Sequence, residues 1–152
     1  MENFTIREAD IADIEIITNF QLAMALESEN LELDNNILSK GVKAVFEDSF
    51  KGKYYVAESD GQVVASLMTT YEWSDWRNGM VIWIQSVYVR PEFRKSGVFR
   101  RMYNHLKTLV ETSNYYRGLR LYVDTSNKNA ITVYQNIGMN GDHYRVFEYM
   151  KE

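Results

Sequence analysis

The sequence predicts an α/β chain built around one mixed sheet, in the order β-α-α-β-β-β-α-β-α-β and antiparallel in its first half. Three observations predict it. Short β-prone runs alternate with stretches of helical periodicity along the whole chain. Asp60-Gly61 joins two such runs, the strongest short-range signal of a hairpin. The nearly all-apolar run Met80 to Val89 leads into a turn containing Gly97 and then an amphipathic stretch, as a strand buried on both faces leads into a helix.

Each element has its own signal. Phe4 to Arg7 reads as a first strand. Asp10 is placed to cap a helix, with Asp13 three residues on, and Ile16, Phe20, Ala23 and Met24 then recur at helical spacing. A second helix is expected over Ile37 to Phe46, weakened by Gly41. Lys53 to Glu58 and Gln62 to Thr70 are the arms of the hairpin, and Pro91, the only proline, ends the buried strand. Val98, Met102, Leu106 and Leu109 share one helix face. Leu119, Leu121 and Val123 alternate with Arg120, Tyr122 and Asp124, the pattern of a half-buried strand. A short helix over Asn129 to Asn136 should stop at Gly138, and Tyr144 to Met150 should close the chain as a strand.

The 152 residues fit one domain, 1–152, with no linker, repeat or low-complexity stretch. The absence of cysteine excludes disulfides, thiolate metal sites and a cysteine nucleophile. His105 and His143 are isolated from other metal ligands, so no metal is expected; His105 falls on the polar side of its helix, as a surface residue would. No apolar run nears the ~18 residues of a membrane span, and the first residues lack a signal peptide's basic head and apolar stretch. A cytoplasmic protein without membrane partners is the expectation. A formal net charge of −4 argues against nucleic acid as a partner.

Charge is unevenly placed. Residues 1–50 hold eleven acidic and three basic side chains, whereas residues 90–101 hold five basic and one acidic. A basic island in an acidic protein suits a local anionic ligand. It coincides with the turn Arg90-Pro91-Glu92-Phe93-Arg94-Lys95-Ser96-Gly97-Val98-Phe99. A helix starting there presents unpaired N–H groups and the positive end of its dipole, which favour phosphate, and Gly97 lets backbone approach a ligand closely. The turn is neither a Walker P-loop nor a G-x-G-x-x-G fingerprint.

The run Val87 to Phe99 resembles the acetyl-CoA motif of the GCN5-related N-acetyltransferase (GNAT) superfamily, V-x-P-x-x-[RQ]-x-x-G-x-[GA], with Arg94 and Gly97 in register and Phe99 standing where that family has Gly or Ala. Asn127 to Met139 resembles a second motif of the same family, with Asn127, Ala130, Tyr134 and Gly138 in register. The element order fits nearly the whole chain.

The resemblance implies a GNAT-like fold and an N-acetyltransferase that moves an acetyl group from acetyl-CoA to a primary amine by direct attack. The amine would belong to a small molecule or a peptide. The buried strand would splay from the next one and pair with pantetheine through Val87, Tyr88 and Val89. The backbone of Arg94, Lys95, Ser96, Gly97, Val98 and Phe99 would hold the pyrophosphate, with Asn127 and Asn129 further cofactor contacts. Tyr134 would protonate the leaving thiolate. Gln85 occupies the strand position where relatives place a base or water-binding group; it cannot take a proton at neutral pH but can position an amine or a water. Glu27, Glu72 and Asp75 are the carboxylates weighed as a base. The alternative is an acyl-CoA-binding module or sensor without turnover. Trp73, Trp76 and Trp83, with Tyr71 and Tyr88, form an aromatic patch suited to an acceptor pocket or a homodimer contact.

Overall fold

A computed structural model describes residues 3–151, which fall into two compact units, one up to Arg120 and one from Leu121 onward. The first unit holds β1 (Thr5–Glu8), α1 (Ile14–Glu29), α2 (Asn35–Glu47), β2 (Lys53–Ser59), β3 (Gln62–Ser74), β4 (Gly79–Val89), α3 (Val98–Thr112) and β5 (Tyr116–Arg120). The strands form one sheet in sequence order, β1-β2-β3-β4-β5. The first four run antiparallel and β5 runs parallel to β4. This is the mixed α/β architecture expected from the sequence.

Local chemistry starts the first helix where the sequence says it should. Asp10 accepts the Ala12 N–H at 2.9 Å while its own N–H donates to Asp13 Oδ2 at 2.8 Å, a reciprocal cap on a single 3-10 turn that leads into α1. Asp13 also accepts both terminal nitrogens of Arg7, at 2.8 and 3.0 Å, and Arg7 reaches Glu58 from Nε and Nη2 at 3.0 and 2.8 Å. One guanidinium thus ties β1, the start of α1 and β2 together. The Arg7 hydrogen bonds hold the buried Asp13 carboxyl below its ordinary value.

Helices cover the sheet on both faces. Ile17, Val42, Tyr54 and Val56 form the buried centre beneath α1 and α2, joined by the half-buried Met68. Val98, Met102, Tyr103 and Leu106 form the buried stripe of α3, and the Tyr55 ring meets His105 of that helix edge-on at 5.7 Å. His105 is half-buried there, not on the open surface expected for it, because α3 is buried over more of its girth than its apolar spacing implies. Gln85 lies opposite Met68 in the β3–β4 ladder, so it faces the side of α1 and α2.

Two boundaries differ from the sequence reading. β3 runs to Ser74, which puts Trp73 on a strand and leaves a short turn ahead of Gly79. β5 occupies Tyr116–Arg120 instead of starting at Leu119. Ser113 Oγ accepts the N–H groups of Tyr115 and Tyr116 at 2.9 and 3.1 Å, turning the chain into the strand directly after α3.

In the second unit, α4 (Lys128–Asn136) is capped by Asn127, whose Oδ1 accepts the Ala130 N–H at 3.1 Å. Gly138 stops it at φ 95°, the left-handed conformation that glycine adopts without a Cβ clash. The closing strand expected at Tyr144 to Met150 is not formed among the described residues. The segment has the right residues, but a strand also needs a neighbour to complete its ladder, and residue type cannot supply one.

Candidate active site

The candidate site in the first unit lies at the C-terminal end of β4. The β4–β5 ladder runs from Met80↔Tyr116 to Trp83↔Arg120 and goes no further. On its other side β4 stays paired with β3 up to Val89. One edge of Ile84 to Val89 therefore projects past the end of β5.

The strand is also bulged. Between the pairs Met68↔Gln85 and Ser66↔Tyr88, Ser86 and Val87 stand opposite Leu67 alone, and Ser86 is left-handed at φ 55°. Past the bulge, Tyr88 faces Ser66 and the Arg90 N–H donates to Val64 O at 2.9 Å. Backbone groups alternate sides along a strand, so Val87 and Val89 present theirs to the projecting edge. The Val89 carbonyl indeed accepts from Arg94 Nε at 2.9 Å. The Tyr88 side chain is buried against Phe20 of α1, ring centroids 4.9 Å apart.

The turn that follows is built for donors. Pro91 to Phe93 form one 3-10 turn, Lys95 is left-handed at φ 62° and Gly97 at φ 85°. Gly97 occupies the N-cap of α3 without a side-chain cap, and the first bond of the helix is Arg101 N–H to Gly97 O at 3.0 Å. The N–H groups of Val98, Phe99 and Arg100 precede that ladder. Lys95 and Arg100 are exposed beside them, whereas Arg101 turns its Nη2 to donate to Phe4 O at 2.9 Å. Helix dipole, amides and cations together suit an anion, a candidate cradle. Ser96 Oγ donates to Phe93 O, closing the loop beneath it. The Phe99 ring leans on Tyr103 within α3, at 6.4 Å between centroids.

Arg94 differs from its expected role. Its N–H donates to Pro91 O at 3.2 Å, so it is not among the cradle's amides. Its guanidinium bonds Val89 O, donates to Glu27 Oε2 at 2.7 Å, and lies over the Tyr88 ring at 5.5 Å.

The carboxylates weighed as bases are tied up or distant in role. Glu72 Oε1 accepts from Trp83 Nε1 at 2.9 Å and from Arg120 Nη1 at 2.7 Å. Those bonds hold its carboxyl below its ordinary value, a poor proton acceptor near neutral pH. Glu27 holds Arg94 and accepts the Tyr88 hydroxyl at 3.3 Å. Asp75 accepts the Trp76 N–H in the exposed β3–β4 turn. Trp76 is 91% exposed and Trp73 leans on Tyr115 at 6.4 Å.

Tyr134, Asn127 and Asn129 belong to the second unit. Tyr134 is half-buried on α4, and burial pushes its hydroxyl above the ordinary value, so it is a protonated donor at neutral pH. Asn127 spends its side-chain oxygen as the helix cap, and Asn129 is exposed in the first turn. Among the described residues no three His, Asp or Glu side chains form a metal-binding group, and no helix is long and apolar enough to cross a membrane.

Sequence reasoning missed the bulge at Ser86 and the Glu27–Arg94 contact. Nothing in a single sequence marks the first. The second joins residues 67 apart, whose proximity follows only from the packing of α1 on β4.

Known proteins agree with this architecture. A possible acetyltransferase from Clostridium difficile 630 is 44% identical, with a TM-score of 0.91 over 99% of both chains. A predicted acetyltransferase from Clostridium acetobutylicum, solved with acetyl-CoA, shares the fold at 18% identity, with a TM-score of 0.73 over 96% of both chains. N-alpha-acetyltransferase 60 of Xenopus tropicalis is 31% identical over 101 residues, which are 65% of this chain and 39% of that protein, so the match spans well under half of the relative. The sequence profile of the acetyltransferase (GNAT) family matches residues 21–139. With that match over most of its length, and with the fold to go with it, the chain belongs to the acetyltransferase (GNAT) family.

Proposed function

We propose that the chain is one N-acetyltransferase domain that moves the acetyl group of acetyl-CoA to a primary amine by direct attack. The observation that carries this reading is the projecting edge of β4 leading into the glycine turn. The edge offers amide and carbonyl groups to a pantetheine arm, and the turn offers Lys95 to Phe99 to a pyrophosphate.

In the reaction the neutral amine nitrogen attacks the thioester carbonyl. A C–N bond forms, the C–S bond breaks, and the thiolate leaves. Tyr134 supplies the thiolate's proton, a role supported by its protonated hydroxyl. Gln85 orients the amine or a water that carries away the amine's proton. Neither Glu72 nor Glu27 serves as the base, since both are ion-paired. Positioning and carbonyl polarisation then supply most of the acceleration.

The acceptor is a cation in solution. Glu29, Glu32 and Asp34 follow one another at the end of α1 and beyond it with no basic residue among them, and an acidic rim concentrates amines. The relative named N-alpha-acetyltransferase 60 puts a peptide α-amine first in the acceptor panel. A cytoplasmic setting fits a chain with no cysteine.

The test is thiol release from acetyl-CoA against a panel of peptide, amino-acid and polyamine acceptors. Amine-dependent release is the expected result. Tight acetyl-CoA binding without release for any amine would favour the sensor, a reading that the lack of a free carboxylate base among Glu27 and Glu72 keeps in view.

A further inference from the structure

Glu27, in the last turn of α1, faces the turn that leads out of β4, and its carboxylate has two separate bonds to that region. Oε2 takes Arg94 Nη2 at 2.7 Å and Oε1 takes the Tyr88 hydroxyl at 3.3 Å. Arg94 in turn bonds the Val89 carbonyl through Nε at 2.9 Å and lies over the Tyr88 ring. The four groups form a closed figure: helix, ring, strand edge, turn. Arg94 is the turn's pivot, since the 3-10 turn ends at Phe93 and the left-handed residues Lys95 and Gly97 follow. The geometry assigns Glu27 as a positioning residue for the acyl-CoA turn: it holds Arg94 against β4, and through Arg94 it fixes the edge and the cradle relative to each other. The inference rests on the proposed acyl-CoA reading.

The physical reason is pre-organisation. A cradle of backbone amides binds phosphate well only when its donors already converge. Two left-handed residues in a four-residue stretch leave the turn with alternative arrangements, and a fixed guanidinium removes them. The bond is charge-assisted on both sides, which suits a clamp. Arg94 and Glu27 are both exposed enough for salt to weaken the clamp.

Acetyl-CoA affinity of the full chain, measured by calorimetry at low and high salt, tests this in wild type, Glu27→Gln and Glu29→Gln. Glu27→Gln should weaken acetyl-CoA about fivefold at low salt, the effect of a good partly exposed ion pair, with the gap closing at high salt. Turnover at saturating levels of both substrates should stay within about twofold, since the clamp acts on binding. Glu29→Gln removes the same charge from the same exposed helix end without touching Arg94, and its acetyl-CoA affinity should match wild type. Equal or tighter binding by Glu27→Gln overturns the assignment, as does a rise confined to the KM of the amine. Failure of the wild type itself to bind acetyl-CoA would instead overturn the proposed function.

Discussion

Gly97→Asp offers the sharpest probe of the anion cradle, and Gly97→Ala is its internal reference. At Gly97 a Cβ would meet no atom within 4 Å, so neither variant clashes with the protein. Both pay for a left-handed backbone at φ 85°, about 1–2 kcal/mol of stability for a residue with a Cβ. The difference between them is then electrostatic. A carboxylate roughly 5 Å from a phosphate charge, at an effective dielectric of about 20, costs about 3 kcal/mol, or over a hundredfold in affinity. The turn is exposed, so screening reduces this, and at least tenfold should remain at moderate salt. Calorimetric titration of acetyl-CoA into both folded variants, with thermal melts to confirm folding, gives the answer. Similar melting loss but much weaker binding for Gly97→Asp is the expected result. Equal dissociation constants for the two variants would show that no phosphate sits at this turn.

Four further outcomes are expected. Tyr134→Phe should lower kcat by more than about tenfold with acetyl-CoA affinity unchanged, since general acid groups contribute about 10²–10⁴-fold; steady-state kinetics checks it, and activity within about twofold would make the residue a packing aromatic. Asp13→Asn should cost about 2 kcal/mol by removing the carboxylate that holds Arg7 and the Asp10 N–H. Because the Asp13 carboxyl is held low in the folded state, its contribution is complete above the ordinary carboxylate range and is lost as pH falls below that range, so the gap between wild type and variant should narrow in acid denaturation. Ser66→Ala should be neutral or stabilising by about 1 kcal/mol, because the Ser66 hydroxyl is fully buried with no hydrogen-bond partner among the described residues; denaturant unfolding checks it. Glu29→Gln with Glu32→Gln should lower kcat/KM for a cationic amine at low salt and not at high salt, while leaving a neutral acceptor unaffected.

The sequence made the sheet legible wherever pattern and partner coincide. The Asp60-Gly61 turn, the Asp10–Asp13 cap and the Gly138 stop are local devices whose chemistry is complete within a few residues, and each appears as read. The turn after β4 was equally plain as a turn, because proline ends a strand and Gly97 stands at the start of α3. What could not be read depends on distant residues. Tyr144 to Met150 has strand composition but forms no strand among the described residues. Glu27, weighed as a base, is a ligand of Arg94. Arg94, read as part of the pyrophosphate cradle, spends its amide on Pro91 and its side chain on Val89 and Glu27. Side-chain type told which groups were available, and only the packing of α1 against β4 decided where they were spent.

The bulge at Ser86 has a consequence for comparing relatives. Because one extra residue enters β4 there, Gln85 and Tyr88 share a face although they are three apart. A homologue lacking that residue, aligned without a gap, would match position for position up to Gln85 and present the opposite side chains beyond it. Conservation scored at Val87, Tyr88 and Val89 across such a family would average groups that line the cleft with groups that fill the core. Transfer of roles along β4 therefore requires that the strand's length between Gln85 and Pro91 be matched before its letters are.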